Sequence, residues 1–375
     1  PLHRPAKRAA SGLVTTMWKN LFAKSSSKDR QHQQPPQQRE HSAPVHHAQQ
    51  RHAARQDVGM PGSSLPMYAQ PTKKHKVQPP SCTTIDVAGT PVNVYGLSEL
   101  SRGSNGAAPE VCITFHMHGR TGSARREHDL VRELWQNAVG EREGLQGAHR
   151  VRDLIIVSLD QRNHGHRTTN ELGQRTWKEG NPTHGIDQYA MYHGTAMDVS
   201  YLMDLLPAYL FPNGERIVSL FAVTGKSMGG HAAWHVLAHD PRVRVGVPFI
   251  GMPDYEKLLA QRTKTSNVND GPPQVPDTLR ALIRRIDPAK QPYREASPSN
   301  PFFGKKICIC CGEDDKLVRF SFSEEFIRGL VVAPPNSEEA RRSLEVFVQP
   351  NTGHKVTSEM LALGGRWLAQ WALAY

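Results

Sequence analysis

The sequence has no long apolar run and few cysteines. No apolar stretch approaches the roughly 18 residues that a membrane-spanning helix needs, so the sequence predicts a soluble protein. The five cysteines are an odd number, and three of them crowd into residues 308–311, where they offer neither a disulfide framework nor the spacing of a zinc site. This cysteine usage favours a reducing, intracellular compartment.

The net charge of +11 is unevenly distributed along the chain. Residues 1–80 contain 13 lysines and arginines against 3 acidic residues, a balance of +10, which leaves 33 basic and 32 acidic residues for the rest. The larger part of the chain is therefore close to neutral. Nothing in that part predicts a surface that follows nucleic-acid phosphates.

The first 78 residues differ in composition from the remainder. Residues 31–55 have almost no aromatic or β-branched side chains, so they cannot bury enough surface to fold, and we expect residues 1–78 to be a disordered basic tail. The first 28 residues hold six basic residues and no acidic one. Such a segment resembles a mitochondrial presequence, and it could equally be a basic arm that binds anionic surfaces. The predicted partner of the tail is thus an import receptor or an anionic surface, and the predicted location is cytoplasmic or mitochondrial.

The most informative motif is a serine between glycines. Gly225, Ser227 and Gly229 follow a β-branched and aromatic run at residues 216–223 and precede a helical pattern. Between strand and helix the backbone turns so sharply that side chains two residues before and after the serine would collide, so glycine is favoured at both places. The junction is typical of a nucleophile elbow, which exposes the serine hydroxyl beside a helix N-terminus.

A serine nucleophile needs a histidine base and a carboxylate that orients the base. A pattern of a buried strand leads into three acidic residues, Glu313, Asp314 and Asp315. A later strand pattern leads into a glycine-containing loop that carries His354. His354 is therefore the predicted base, and the acidic cluster is expected to supply the orienting carboxylate.

These features together resemble an α/β-hydrolase from about residue 82 to residue 375. The resemblance implies an α/β fold with a mostly parallel sheet flanked by helices, which the alternation of strand and helix patterns also favours. It selects Asp315 as the triad acid, because the segment resembles the G-x-x-D-x-x-V pattern after the seventh strand. It also implies a catalytic domain at residues 79–375 with a small cap insertion at residues 252–302.

The resemblance further implies where an oxyanion would be held. One donor would be the backbone N–H of Met228, which directly follows the nucleophile. The other would be the backbone N–H of Arg120, because it follows the pair His118 and Gly119 at the end of the third strand pattern. The Arg120 side chain could also reach a substrate carboxylate or point to water.

Other segments are expected to support the site. Asp160 and Arg162 resemble the fourth-strand segment Asp-x-Arg-x-x-Gly that braces the neighbouring loops. The pair Gly229 and Gly230 after the elbow serine resembles the motif of the prolyl-oligopeptidase-like and dienelactone-hydrolase-like branches. The sequence differs from the prolyl oligopeptidases in having no propeller-length N-terminal domain, which puts peptide specificity in doubt. On the second predicted cap helix, Arg280, Arg284 and Arg285 could meet an anionic substrate or face solvent.

The predicted function is hydrolysis of a carboxylic ester of a small acyl substrate by a serine nucleophile, without metal or cofactor. A peptidase, an acyl-peptidase or a thioesterase would use the same groups. One alternative is a catalytically silent α/β-hydrolase that acts as a binding module. The other is a metal-dependent hydrolase built on the H-x-H pair of His116 and His118, with His164 and His166 nearby in the fold.

Overall fold

The computed structural model describes residues 77–102, 108–144 and 151–374. Its strands are β1 (Cys82–Val87), β2 (Thr90–Tyr95), β3 (Glu110–Met117), β4 (Asp153–Leu159), β5 (Ile217–Lys226), β6 (Val243–Phe249), β7 (Lys306–Gly312) and β8 (Leu344–Gln349). They form one sheet in the order β1-β2-β4-β3-β5-β6-β7-β8. β1 and β2 form an antiparallel hairpin, β2 is antiparallel to β4, and the remaining neighbours are parallel.

The central strands are buried on both faces. Every residue of β4 is buried, and in β3 only Glu110 is partly exposed. Near-continuous runs of branched apolar residues are typical of parallel strands that helices cover on both sides. β1 lies at the edge, and four of its six residues are exposed, as expected for a strand with one unpaired side.

Helices connect most of the strands. Those in the described part of the chain are α1 (His128–Gly144), α2 (His184–Leu210), α3 (Met228–His239), α4 (Tyr255–Ser266), α5 (Asp277–Ile286), α6 (Glu324–Gly329), α7 (Glu338–Ser343) and α8 (Ser358–Leu368). Because side chains alternate across a strand, Ile155 and Val157 of β4 pack in one core layer, together with residues of α2, α3 and α4. Leu154 and Ile156 pack in the opposite layer with residues of α1 and α8.

The segment between β6 and β7 is the predicted cap insertion. It contains α4 and α5, joined by turns, and its helices lie within the expected range of 252–302. The sheet is mostly parallel, helices flank it, and the sharp turn after β5 leads directly into α3. The prediction of an α/β-hydrolase fold is confirmed, and the cap role of residues 252–302 stays a prediction.

The register of the parallel strands brings their carboxyl ends to one edge of the sheet. Met117 of β3 pairs with Gly225 of β5, and Lys226 pairs with Phe249 of β6. The loops that follow β3, β5, β7 and β8 therefore begin along the same edge. In open α/β sheets this edge is where ligands bind.

The predicted tail, residues 1–78, lies outside the described residues except for its last two. Val77 packs against α1, and its carbonyl accepts a hydrogen bond of 2.7 Å from Gln136 Nε2. No helix in the described ranges is both long and apolar enough to cross a membrane.

Candidate active site

Ser227 occupies the turn between β5 and α3. Its backbone has φ 56° and ψ −113°, a conformation that is strained for a residue with a side chain. A Cβ atom at Gly225 would collide with the carbonyl of Gly229, and one at Gly229 would collide with the carbonyl of Met117. Both positions therefore exclude any side chain. The glycines allow a turn that leaves the serine hydroxyl at the N-terminus of a helix.

His354 and Asp315 complete a hydrogen-bonded relay with this serine. Ser227 Oγ lies 2.8 Å from His354 Nε2, and His354 Nδ1 lies 2.6 Å from Asp315 Oδ2. Because a carboxylate can only accept, Nδ1 carries the proton and Nε2 is free to accept one from the serine. The other carboxylate oxygen, Oδ1, accepts bonds of 2.9 Å from the amides of Leu317 and Val318. The buried Asp315 is thus fixed on both of its oxygens.

The neighbouring acids do not reach the histidine ring. Asp314 is exposed, and its backbone amide donates to the carbonyl of Thr352 at 2.9 Å. Glu313 is also exposed, and its Oε2 lies 3.4 Å from the amide of Asn351. Of the three acidic residues that the sequence offers, the structure brings Asp315 to His354.

The two expected oxyanion donors belong to segments that adjoin Ser227. Met228 provides the first amide of α3, and the first amides of a helix have no partner within it. Gly119 packs against the nucleophile, since a Cβ atom there would be 3.7 Å from Ser227 Cβ. Arg120 follows directly, and its Nη1 donates to the carbonyl of Gln174 at 2.8 Å. The Arg120 side chain is therefore held by the loop after β4 and does not point freely into water.

His118 fixes the loop that carries Arg120. Its Nδ1 donates to the Gly119 carbonyl at 2.7 Å, and its Nε2 accepts from the backbone amide of Gln161 at 3.0 Å. The side-chain amide of Gln161 also donates to the His118 carbonyl. Burial lowers the pKa of His118 to about 4, so the ring is neutral and supplies one donor and one acceptor. This arrangement couples the loop after β3 to the loop after β4.

Asp160 and Arg162 brace separate loops. Asp160 Oδ1 accepts from the amide of Ala124 at 2.8 Å, and Oδ2 accepts from the amide and ring of His166 at 2.8 and 2.9 Å. Arg162 forms a two-point pair with Asp198 of α2, with Nη2 at 2.8 Å. The two residues lie beside the site without entering the serine–histidine relay.

A partly buried ion pair between Lys226 and Glu127 adjoins the nucleophile and could not be predicted from the sequence. Lys226, the residue before Ser227, donates from Nζ to Glu127 Oε1 at 2.8 Å, and Glu127 is only 4% exposed. His116 Nε2 lies 4.0 Å from the other Glu127 oxygen, while its Nδ1 lies 2.8 Å from Thr224 Oγ1. Burial, with a further effect of Lys226, lowers the pKa of His116 to about 3. Glu127 is 99 residues away from its partner, so no local pattern could indicate the pair.

The histidines proposed for a metal-dependent mechanism include one close pair, His118 and His164, whose ring centroids are 5.4 Å apart. The lone pair of His118 Nε2 is used by a backbone amide, and His116 faces Thr224 and Glu127. His164 Nδ1 donates to the Arg162 carbonyl at 3.0 Å. In the described ranges, no group of three or more His, Cys, Asp or Glu side chains could hold a metal ion. The arrangement of these residues does not support the alternative based on His116 and His118.

Comparisons with known proteins bear on the fold. No family model and no curated protein matches the chain. The structure is similar to that of TT1662 from Thermus thermophilus, with a TM-score of 0.52 and 18% identity over 78% of this chain and 98% of that chain. It is also similar to acetyl xylan esterase 1 from Thermoanaerobacterium sp. JW/SL YS485, with a TM-score of 0.48, 15% identity and coverage of 79% and 84%. For the esterase Pf2001 from Pyrococcus furiosus the TM-score is 0.44, the identity 18% and the coverage 78% and 92%.

At these identities the likeness concerns the fold. The chain has the α/β-hydrolase fold, and a hydrogen-bonded serine, histidine and aspartate lie at the carboxyl edge of its sheet.

Proposed function

We propose that the chain is a serine hydrolase that cleaves a carboxylic ester through an acyl-enzyme. The observation that carries this proposal is the relay from Ser227 Oγ through His354 to Asp315, with distances of 2.8 and 2.6 Å. A serine hydroxyl is a weak nucleophile at neutral pH, and this geometry provides the base that activates it.

In the proposed first step, Ser227 Oγ attacks the ester carbonyl while His354 Nε2 takes the hydroxyl proton. Asp315 holds the imidazole in the required tautomer and stabilises the imidazolium that forms. His354 then gives the proton to the departing alcohol, which leaves the acyl group on Ser227. In the second step, water loses a proton to His354 and attacks the acyl carbon. The carboxylic acid departs, and the proton returns to Ser227.

The negative charge on the carbonyl oxygen needs fixed donors during both steps. We assign this role to the backbone amides of Met228 and Arg120. The support for Met228 is its place at the start of α3, where the helix dipole also favours negative charge. The support for Arg120 is the close packing of Gly119 against Ser227 and the anchoring of that loop by His118.

A fluorophosphonate probe combined with a panel of acyl substrates tests the proposal. Purified protein should be labelled at Ser227, and labelling should abolish hydrolysis of the best ester. The panel should include thioesters and aminoacyl amides, because a thioesterase or a peptidase would use the same relay. Protein that is neither labelled nor active on any of these substrates would support a catalytically silent binding module instead.

A further inference from the structure

An arginine in the cap insertion is held in an unusual way. Arg262 lies on α4, and its Nη1 donates to His184 Nε2 at 3.3 Å. His184 in turn donates from Nδ1 to the carbonyl of Arg175 at 2.9 Å, and its ring packs edge-on against Trp177. The guanidinium of Arg262 is therefore positioned by a neutral imidazole rather than by a carboxylate.

Among the described residues, the remaining edge of this guanidinium, formed by Nε and Nη2, has no partner. Arg262 Nε is buried and makes no hydrogen bond, and among the described residues Nη2 makes none either. No acidic side chain in the described ranges forms an ion pair with Arg262. A cationic group that is removed from water without a counter-charge is costly in free energy, and an anionic ligand would offset this cost.

In two other arginines of the chain, the edge formed by Nε and Nη2 binds a carboxylate. Arg162 places Nε and Nη2 on Asp198, at 3.1 and 2.8 Å. Arg242 places the same two nitrogens on Asp240, at 2.9 and 2.7 Å. The two parallel N–H groups of this edge match the two oxygens of a carboxylate. In Arg262 neither nitrogen of this edge bonds a carboxylate of the described residues; Nε is shielded from solvent, so a ligand would meet Nη2 first.

Arg262 is linked to the loop that also holds the Arg120 side chain. Arg120 Nη1 donates to the carbonyl of Gln174, and Arg262 is linked through His184 to the carbonyl of the next residue, Arg175. One loop thus anchors Arg120 directly and Arg262 through His184. Arg120 itself directly follows Gly119, which packs against Ser227.

The pKa shifts of the neighbouring groups agree with a position of Arg262 near Arg120. Burial lowers the pKa of Arg262, and the positive charge of Arg120 lowers it further. Burial, followed by the charges of Arg262 and Arg120, lowers the pKa of His184 to about 4. Burial also lowers the pKa of His231, one turn after Ser227 on α3, to about 3, and the charges of Arg262 and His354 add to the effect. Arg262 and Arg120 carry the positive charge of this region, and His231 lies on the helix that begins directly after Ser227.

We propose that Arg262, with Arg120, binds a carboxylate of the substrate, so that the preferred ester carries a negative charge on its acyl or its alcohol part. This inference rests on the proposed serine hydrolase function and names its substrate class. It differs from the sequence expectation that Arg280, Arg284 or Arg285 could meet an anion. Arg280 pairs with Asp270 at 2.8 Å, and the other two are exposed on α5.

Matched ester pairs test the inference. The acyl pair is the mono-4-nitrophenyl ester of glutaric acid against 4-nitrophenyl pentanoate, and the alcohol pair is 4-acetoxybenzoate against 4-acetoxybenzamide. We expect the wild-type protein to prefer the anionic member of one pair by about tenfold or more in kcat/KM, mainly through KM. Arg262→Gln should reduce kcat/KM for that anionic ester by about 10-fold to 100-fold and change the neutral ester by less than about threefold.

Two further variants control for net charge and for folding. Arg284→Gln removes the same charge from an exposed position of the same insertion, and it should leave the preference within about twofold. Arg262→Lys keeps the charge but loses the two-point edge, and it should retain only part of the preference. Melting temperatures of all variants show whether a loss of preference is a loss of fold.

The outcomes separate this inference from the function on which it rests. If wild-type protein hydrolyses the neutral esters and is labelled at Ser227 but shows no preference in either pair, the carboxylate site is wrong and the hydrolase function stands. An equal effect of Arg262→Gln on anionic and neutral esters would also overturn the carboxylate site. If Ser227 is not labelled and neither pair is hydrolysed, both proposals fail.

Discussion

Two polar regions at the same edge of the sheet are organised in opposite ways. In the relay of Ser227, His354 and Asp315, each hydrogen bond has both of its partners within the chain. In the arginine region, Arg262 donates to one neutral ring, and its Nε and Nη2 have no partner among the described residues. The first region is complete before any substrate binds, whereas in our proposal the second is completed by a substrate carboxylate.

The difference predicts different responses to substitution. A complete relay acts as a unit, so removal of one member should affect every substrate. An incomplete cation site should affect only those substrates that supply the missing anion. Broad losses of rate thus belong to the relay, and losses that depend on substrate charge belong to the arginines.

The largest effect is expected for the nucleophile. Ser227→Ala should lower kcat by about four orders of magnitude or more on anionic and neutral esters alike, because the covalent step is lost. Alanine keeps the Cβ atom in the same strained turn, so the melting temperature should stay close to that of the wild type. Ester hydrolysis by Ser227→Ala at the wild-type rate would show that the relay is not catalytic.

The next largest effect separates two neighbouring carboxylates. In Asp315→Asn the oxygen that accepts from Leu317 and Val318 should stay in place, so the new NH₂ group would face His354 Nδ1. Two donors would then oppose each other, and the imidazole would be driven to the wrong tautomer. We expect kcat to fall by about three to four orders of magnitude.

Asp314→Asn is the matched control. Its side chain is exposed, and the backbone amide that bonds Thr352 is unchanged by the substitution. The loss in kcat should stay below about tenfold, which corresponds to less than about 1.4 kcal/mol. If the two aspartates exchanged their effects, the assignment of the relay acid would be reversed.

The sequence could predict the complete region because its signals are local. Each member of the relay lies in a segment that follows a strand pattern, and glycine spacing marks the turn at Ser227. The strand order then brings these strand ends together, which is a property of the fold rather than of any one motif. Among Glu313, Asp314 and Asp315, strand patterns alone cannot make the choice, and the resemblance to the G-x-x-D-x-x-V pattern selects Asp315.

The incomplete region could not be predicted for the opposite reason. Arg262 meets His184 across 78 residues, and neither lies in a motif. Arginines in a cap helix look alike in sequence, because only packing decides which one is turned inward. The buried pair of Lys226 and Glu127 escaped prediction in the same way, since an acidic residue before a helix usually faces solvent.

The ion pair of Lys226 and Glu127 lies directly before the elbow serine. Substitution of Glu127 tests whether this pair supports both the relay and the arginine region. In Glu127→Gln, Lys226 loses its counter-charge. The Lys226 side chain packs against Gly119, where a Cβ atom would lie 3.7 Å from it, and this packing should loosen. We expect a stability loss of about 1–2 kcal/mol, less than for a fully buried pair because Lys226 is 35% exposed. The value of kcat should fall by about tenfold for anionic and neutral esters equally.

Glu141→Gln removes an exposed carboxylate from α1 and serves as its control. It should change neither the melting temperature nor kcat beyond about a factor of two. A loss in Glu127→Gln that is confined to anionic esters would instead assign the pair to the arginine region.

The smallest effect is expected when the basic tail is removed. A chain that begins at Val77 keeps the residue that packs on α1 and accepts the hydrogen bond from Gln136, so both polar regions should be unchanged. Its kcat/KM on each ester should stay within a few-fold of the full chain, while binding to anionic vesicles should weaken, because residues 1–80 carry a balance of +10. A chain that begins at residue 79 loses the Val77 contact and should be less stable by about 1 kcal/mol, since a half-buried valine contributes roughly half of a fully buried one. Chemical denaturation of the two shortened chains measures that difference. If the chain from Val77 loses its preference between anionic and neutral esters while it stays folded, the tail contributes to the site; if it unfolds, the tail contributes to stability.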